Sequence, residues 1–124
     1  MDTEKVTDQV SEDFGFLDGN EDVLAVLVHG SVLTERFHER SDIDVCVVAP
    51  GTDPSKLMRE VYVNVNTERR NYDVYTFEEL SLELKHRVIE EHEIAWCRDF
   101  GELQMYFYRY RKLWNDQAKA RGLE

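Results

Sequence analysis

The sequence predicts an α/β (α+β) domain in which a mixed sheet is flanked by helices. Three observations predict this class. The run at residues 23–28 is short, apolar and rich in β-branched residues, which is typical of a strand buried on both faces. Apolar residues at helical spacing occur near both ends of the chain. The 124 residues suffice for one modest core, so we expect a single domain over residues 1–124 with its core at about 22–97.

The first half of the chain predicts alternating helices and strands. An amphipathic helix is expected at about residues 3–16, followed by the buried strand at 23–28. A short helix is expected to begin at residues 30–31. A second strand follows at about 43–48 and stops where Pro and Gly break it. A short helix at about 54–60 is indicated by the proline at its first position.

The second half predicts a hairpin and two further helices. Residues 60–67 and 71–77 have the composition of two strands joined by a tight connection. A helix is expected at about 78–91, then a short strand at 94–97, then an extra C-terminal helix at about 100–120. That last helix carries one apolar stripe that we expect to pack in the core: Leu103, Phe107, Tyr110 and Trp114.

The charge balance restricts the partners. The chain has 15 Lys and Arg against 26 Asp and Glu, a formal net charge of −11. A nucleic-acid interface needs a basic face, so we do not expect nucleic acid as a partner. No apolar run approaches the roughly 20 residues of a membrane helix, and the N-terminus is acidic, unlike a secretory signal. We therefore expect a cytoplasmic protein with no membrane partner.

The segment that indicates chemistry reads HGS, ten residues, and then DIDV. Side chains alternate along a strand, so Asp42 and Asp44 should face one side about 7 Å apart. Ile43 and Val45 should then face the core. Two ionised carboxylates this close repel each other unless a cation lies between them, and hard oxygen ligands suit Mg²⁺ or Mn²⁺.

Two further features complete this pattern. Gly30 and Ser31 end the preceding strand, where free backbone N–H groups and the serine hydroxyl can bind phosphate oxygens. Asp73 falls in the predicted strand at 71–77. If that strand lies beside the strand of Asp44, Asp73 can share a metal and accept a proton from an attacking hydroxyl. Metal-assisted phosphoryl or nucleotidyl transfer requires this combination.

These motifs resemble the signature of the polymerase-beta-like nucleotidyltransferase superfamily. The chain looks like its smallest members, the minimal nucleotidyltransferase (MNT) proteins, which include the MntA-type antitoxins. The resemblance covers about residues 22–97, including LKHRVIEEHEIAW at 84–96. It implies that Gly30 and Ser31 bind the nucleotide triphosphate and that Asp42 and Asp44 hold two Mg²⁺. Asp73 matches the third carboxylate of the family.

The resemblance also implies a partner. Minimal members commonly pair with a HEPN-type helical protein, several of these pairs being antitoxin and toxin, and some transfer AMP from ATP onto the partner. For this chain we expect a metal-dependent nucleotidyltransferase that uses ATP or another NTP. The expected acceptor is a tyrosine of a HEPN-type toxin, with Asp42, Asp44 and Asp73 as the catalytic and metal-binding residues.

Alternatives stay open. The chain could instead be a non-catalytic module that neutralises its partner by contact, or an enzyme that nucleotidylates a small molecule. A homodimer is also open. Asp42 and Asp44 could lie on a polar strand that faces water, Asp73 could be a solvated acid of a hairpin strand, and Gly30 and Ser31 could form only a turn and a helix cap.

Other polar residues near these motifs are expected to have different roles. His29 is expected to pack or hydrogen-bond near the end of its strand, in preference to acting as a base. Arg36, His38 and Arg40 either meet phosphate charge or pair with neighbouring glutamates.

Overall fold

A four-stranded mixed sheet forms the centre of the molecule. The computed structural model describes residues 3–30 and 42–122. The strands are β1 (Ala25–His29), β2 (Ile43–Val48), β3 (Tyr72–Thr76) and β4 (Glu93–Cys97), in the spatial order β3-β2-β1-β4. β1 runs antiparallel to β2 and β4, whereas β2 and β3 are parallel. The predicted class, a mixed sheet flanked by helices, is confirmed.

In the described residues, five helices precede, separate and follow these strands. They are α1 (Thr3–Asp13), α2 (Pro54–Asn64), α3 (Thr67–Arg70), α4 (Leu82–Glu90) and α5 (Phe100–Ala120), with short 3-10 turns at Gly15–Gly19 and Phe77–Glu79. The helix predicted at 3–16 ends earlier because the chain tightens into the first 3-10 turn. Phe14 and Leu17 nevertheless remain fully buried, as their spacing predicted.

The prediction of a strand at residues 60–67 is wrong. The predicted hairpin of residues 60–67 with residues 71–77 is therefore wrong as well. Residues 60–64 continue α2. Helical spacing decides this stretch, because Leu57 and Val61 are buried while Val63 is 83% exposed. A strand would have put Val61 and Val63 on the same face. Parallel strands need a crossover connection, and α2 supplies the crossover that brings β3 beside β2.

Helices cover both faces of the sheet. On one face, α1 and α2 pack against alternate residues of the strands, with a core that includes Val6, Val10, Leu57, Val61, Val26, Val28, Val45 and Val74. On the other face, α4 and α5 enclose a second core, which includes Leu27, Cys46, Phe77, Val88, Ile89, Leu103 and Phe107. Each fully buried aliphatic or aromatic side chain contributes roughly 1.5–3 kcal/mol. The sheet is therefore a rigid platform on which functional side chains can be held.

The C-terminal helix holds α4 against the sheet. Leu103 and Phe107 of the predicted apolar stripe are fully buried, and Tyr110 packs against the core while partly buried. Trp114, the fourth residue of the stripe, is only partly buried and does not belong to the core. Farther along the same stripe, Trp114 stacks on His86 of α4 with 4.4 Å between the ring centroids. α5 thus supports the position of α4, which borders the site described below. None of the helices in the described part of the chain combines the length and apolarity that crossing a bilayer requires.

Arg98 connects the end of β4 to the loop before β1. Its Nε donates to the Val23 carbonyl at 3.0 Å, and one terminal nitrogen donates to the carbonyls of Asp18 and Asn20, each at 2.9 Å. The guanidinium also lies over the Trp96 ring, 4.9 Å from its centroid. Because these carbonyls converge on one planar group, a lysine cannot replace its several fixed donors.

We expect Arg98→Ala to lower the free energy of unfolding by about 2–4 kcal/mol, because it leaves several partly buried carbonyls without donors. Arg98→Lys should recover less than half of that loss. Urea unfolding monitored by circular dichroism measures both. The matched control is Arg87→Ala, which removes an exposed ion pair with Glu83 and should cost no more than about 0.5 kcal/mol. Equal losses at the two arginines would contradict the role given to Arg98.

Candidate active site

Three polar residues form a row across the sheet. His29 at the end of β1 pairs in register with Asp44 of β2, and Asp44 pairs in register with Asp73 of β3. Neighbouring strands lie about 4.8 Å apart, and paired residues project from the same face of the sheet. The structure therefore makes Asp44 and Asp73 direct neighbours on the face that α4 and α5 cover.

Asp42 lies directly before β2 and is exposed, two residues from Asp44. Ile43 and Val45 are buried on the opposite face of the sheet, as the alternation predicted. Burial, followed by the charges of Asp73 and Asp42, raises the pKa of Asp44 from 3.8 to about 6. Burial and the two neighbouring charges thus disfavour the ionised Asp44 carboxylate, and a bound cation would stabilise it.

Gly30 makes room for the Asp44 carboxylate. Its φ is +87°, a left-handed conformation that L side chains rarely adopt. A Cβ at this position would also overlap with Asp44 Oδ2 and would lie 3.1 Å from Asp44 Cγ. Glycine is therefore required both by the backbone and by the space beside the carboxylate. This close approach places the end of β1, with its backbone groups, beside the acidic cluster of Asp42, Asp44 and Asp73.

His29 forms a hydrogen-bonded pair with Tyr75 of β3, with 3.0 Å between its Nδ1 and the tyrosine hydroxyl oxygen. The prediction that His29 hydrogen-bonds near the end of its strand is confirmed. Burial is the largest cause that lowers the pKa of His29, so the imidazole is neutral at pH 7. Burial likewise raises the pKa of Tyr75, so its hydroxyl keeps its proton.

Tyr75 is the residue at this site that sequence reasoning missed. The signal was available in the strand pattern, because Tyr75 follows Asp73 by two residues and must share its face. Ser31, the second residue of the predicted phosphate-binding pair, lies outside the described residues. So do Arg36, His38 and Arg40 of the connection between β1 and β2.

The acidic cluster offers the kind of ligand atoms that a hard divalent cation prefers. Asp42, Asp44 and Asp73 offer only oxygen atoms, which Mg²⁺ and Mn²⁺ prefer. Within residues 3–30 and 42–122, no three His, Cys, Asp or Glu side chains already stand close enough to enclose one ion. Mg²⁺ is usually bound through one or two carboxylates, with water and substrate phosphates as the other ligands. Neighbouring carboxylates without a closed shell fit that mode of binding.

Carboxylates on adjacent parallel strands, beside a glycine at the end of a third strand, are an arrangement expected of enzymes that transfer phosphoryl or nucleotidyl groups. The sequence matches the family described as "Polymerase beta, Nucleotidyltransferase" over residues 15–101, and the chain belongs to this family. The superfamily resemblance and the predicted enzyme class, a nucleotidyltransferase, are confirmed.

One relative of known name is similar over most of the chain. It is a candidate protein adenylyltransferase of Methanocaldococcus jannaschii, 36% identical over 98 residues. The match covers 78% of this chain and 74% of the relative.

Solved structures share the fold. An MNT antitoxin in complex with tri-AMPylated HEPN toxin of Shewanella oneidensis superposes with a TM-score of 0.65 at 14% identity, covering 97% of this chain and 92% of that chain. A toxin-antitoxin structure with AMP-PNP gives a TM-score of 0.66 at 14% identity, covering 98% and 94%. At these identities the similarity establishes the fold.

Proposed function

We propose that this chain is a metal-dependent nucleotidyltransferase that moves AMP from ATP onto a hydroxyl of a partner protein. The observation that carries the proposal is the in-register pair of Asp44 and Asp73, with Asp42 two residues away and Gly30 packed against Asp44. Burial, together with the charges of Asp73 and Asp42, raises the pKa of Asp44 and so disfavours its ionised form. Divalent cations and a triphosphate are the natural complement of such a site.

Each site residue then has a role. Asp42, Asp44 and Asp73 would hold two Mg²⁺ ions, for which Mn²⁺ could substitute, and these ions would offset charge on both sides of the displacement. Gly30 and Ser31 bind the triphosphate through backbone N–H groups and the serine hydroxyl. Asp73 is exposed, so it can take the proton of the attacking hydroxyl and release it to water.

The relatives suggest the acceptor. The relative with 36% identity is named for adenylylation of proteins, and one fold neighbour was solved with an AMPylated HEPN toxin. For this chain we extend both observations to a HEPN-type helical partner, a tyrosine of that partner as the acceptor, and a role as its antitoxin in the cytoplasm.

The test is a labelling reaction with purified components. The chain is incubated with α-labelled ATP, Mg²⁺ and a HEPN-type protein that co-purifies with it. We expect the label to appear on a tyrosine of the partner, located by mass spectrometry of its peptides, and to disappear when the divalent cation is chelated. If the partner stays unlabelled at every ATP and Mg²⁺ concentration tried, the proposed function is wrong.

The same reaction separates the two alternatives. A module that acts by contact alone would suppress the partner in cells without labelling it. An enzyme that acts on small molecules would leave the partner unlabelled but would release pyrophosphate when soluble hydroxyl compounds are supplied with ATP. Pyrophosphate release measured with and without the partner therefore assigns the acceptor class.

A further inference from the structure

A cavity of about 280 Å³ lies between the sheet and α4, next to the acidic cluster. Its lining combines two kinds of side chain: the polar His29, Asp44 and Tyr75 from the sheet, and the apolar Leu80, Leu84 and Val88 from α4 and the turn before it. None of the roles proposed above uses this space. Its position beside Asp44 connects it with the transfer reaction.

The lining fits a ring that carries one polar substituent. Leu80, Leu84 and Val88 provide an apolar wall, and an apolar cavity of about 150 Å³ is already large enough for a benzene ring. Asp44 supplies a carboxylate on the sheet side, with Asp73 as its in-register neighbour. A phenol in this cavity would have its ring against the leucines and its hydroxyl toward the carboxylates.

The position of the cavity favours the acceptor over the nucleobase. The attacking oxygen must come within about 3–3.5 Å of the α-phosphorus, and that phosphorus must lie near the carboxylates that hold its metal ions. The base is separated from the α-phosphorus by the whole ribose. A group bound directly against Asp44 is therefore close enough to the α-phosphorus to attack it. The nucleobase would lie farther away, so the cavity fits the acceptor better.

We propose that this cavity receives the acceptor side chain, an aromatic ring whose hydroxyl is the group that becomes nucleotidylated. This inference rests on the proposed function and names its acceptor site. The phenolic oxygen forms a bond to the α-phosphorus while the bond from that phosphorus to the bridging oxygen breaks. Pyrophosphate leaves with the electron pair, and the phenolic proton passes to Asp73. Leu84 at the cavity rim is 42% exposed, so a ring on a partner protein has access.

The test fills the cavity without changing the charge of the site. We expect Leu84→Trp to lower kcat/KM for AMP transfer to the HEPN-type partner by at least 30-fold, while the Kd for ATP with Mg²⁺, measured by calorimetry, stays within twofold. The matched control is Val63→Trp, on the exposed face of α2 across the sheet, where Val63 is 83% exposed. Val63→Trp should leave both constants unchanged. Leu84→Phe provides a smaller filling if the tryptophan variant does not fold.

Other outcomes overturn the inference. A tenfold weaker ATP affinity in Leu84→Trp would show that the cavity holds the nucleobase. Unchanged transfer and unchanged ATP affinity would show that the reaction does not use the cavity.

A second measurement does not depend on activity. We expect p-cresol, titrated into the ¹³C-methyl-labelled wild-type protein, to shift the methyl resonances of Leu80, Leu84 and Val88. Methyl resonances that do not move up to the solubility limit of p-cresol would overturn the acceptor site. If the wild-type protein transfers no AMP, the proposed function fails, and the p-cresol titration still decides whether the cavity binds a phenol.

Discussion

Asp42→Asn combined with Asp44→Asn should reduce AMP transfer by at least about 1,000-fold, because removing metal-borne charge stabilisation costs several kcal/mol in the transition state. Asparagine keeps the size of the side chain but removes the negative charge that binds cations. The measurement is the rate of label transfer from α-labelled ATP at saturating Mg²⁺. The matched control replaces two acids outside the site, Glu60→Gln with Glu68→Gln, and should retain full activity.

The same variant should be more stable than the wild type in the absence of divalent cations. The pKa of Asp44 is raised to about 6 in the folded chain from 3.8, so folding disfavours its carboxylate. This cost is absent below about pH 4, grows as the pH rises toward 6, and is complete above it. Because water screens the half-buried group, we expect a gain on the order of 1 kcal/mol at pH 7.5 and none at pH 4.

Chemical denaturation of both proteins between pH 4 and 7.5 measures this difference. Transfer that survives in the double variant would contradict the assignment of the two carboxylates. A variant that is less stable than the wild type at pH 7.5 would contradict the unfavourable burial of the charged Asp44 carboxylate beside Asp73 and Asp42. The two results are independent, because one concerns the nucleotide complex and the other concerns the free protein.

Gly30→Ala should lower AMP transfer by at least about 100-fold and the free energy of unfolding by about 1–3 kcal/mol. Alanine at this position would have to adopt an unfavourable φ, and its Cβ would push the Asp44 carboxylate away from its position. Gly51→Ala is a matched control, because Gly51 also has a positive φ, +80°, but nothing lies within 4 Å of the added Cβ. It has the same kind of backbone strain without the collision.

We therefore expect Gly51→Ala to lose stability but to keep its activity, whereas Gly30→Ala loses both. Urea unfolding and the labelling reaction measure the two properties side by side. If both variants keep full activity, the contact between Gly30 and Asp44 does not position the carboxylate.

The sequence predicted the strands of the site better than the connection between β2 and β3. The buried strands around Val26 and Val45 were visible because uninterrupted β-branched runs have few alternative structures. The alternation around Asp44 placed its side chain opposite the buried Ile43. The prediction for residues 60–67 was wrong because a valine at every second position has the pattern of a strand, while the spacing from Leu57 to Val61 equally fits a helix.

The remaining part of the site depends on contacts between distant residues. Nothing local to Asp73 indicates that β3 lies beside β2, since that pairing depends on the helical crossover. The cavity is likewise formed by residues of α4, the turn before it and three separate strands, so local periodicity does not reveal it. What local patterns do reveal is which residues share a face, and that signal was sufficient for Asp44 and would have been sufficient for Tyr75.

The parallel pairing of β2 with β3 makes the third carboxylate a matter of strand register. If β3 slipped by one residue along β2, Asp73 would turn to the opposite face and an apolar neighbour, Tyr72 or Val74, would take its place in the row. The same slip would expose residues that now belong to the core, so it is energetically disfavoured. The hydrophobic side of β3 thus determines the chemistry of its other side, and selection for a well-packed core also preserves the position of Asp73.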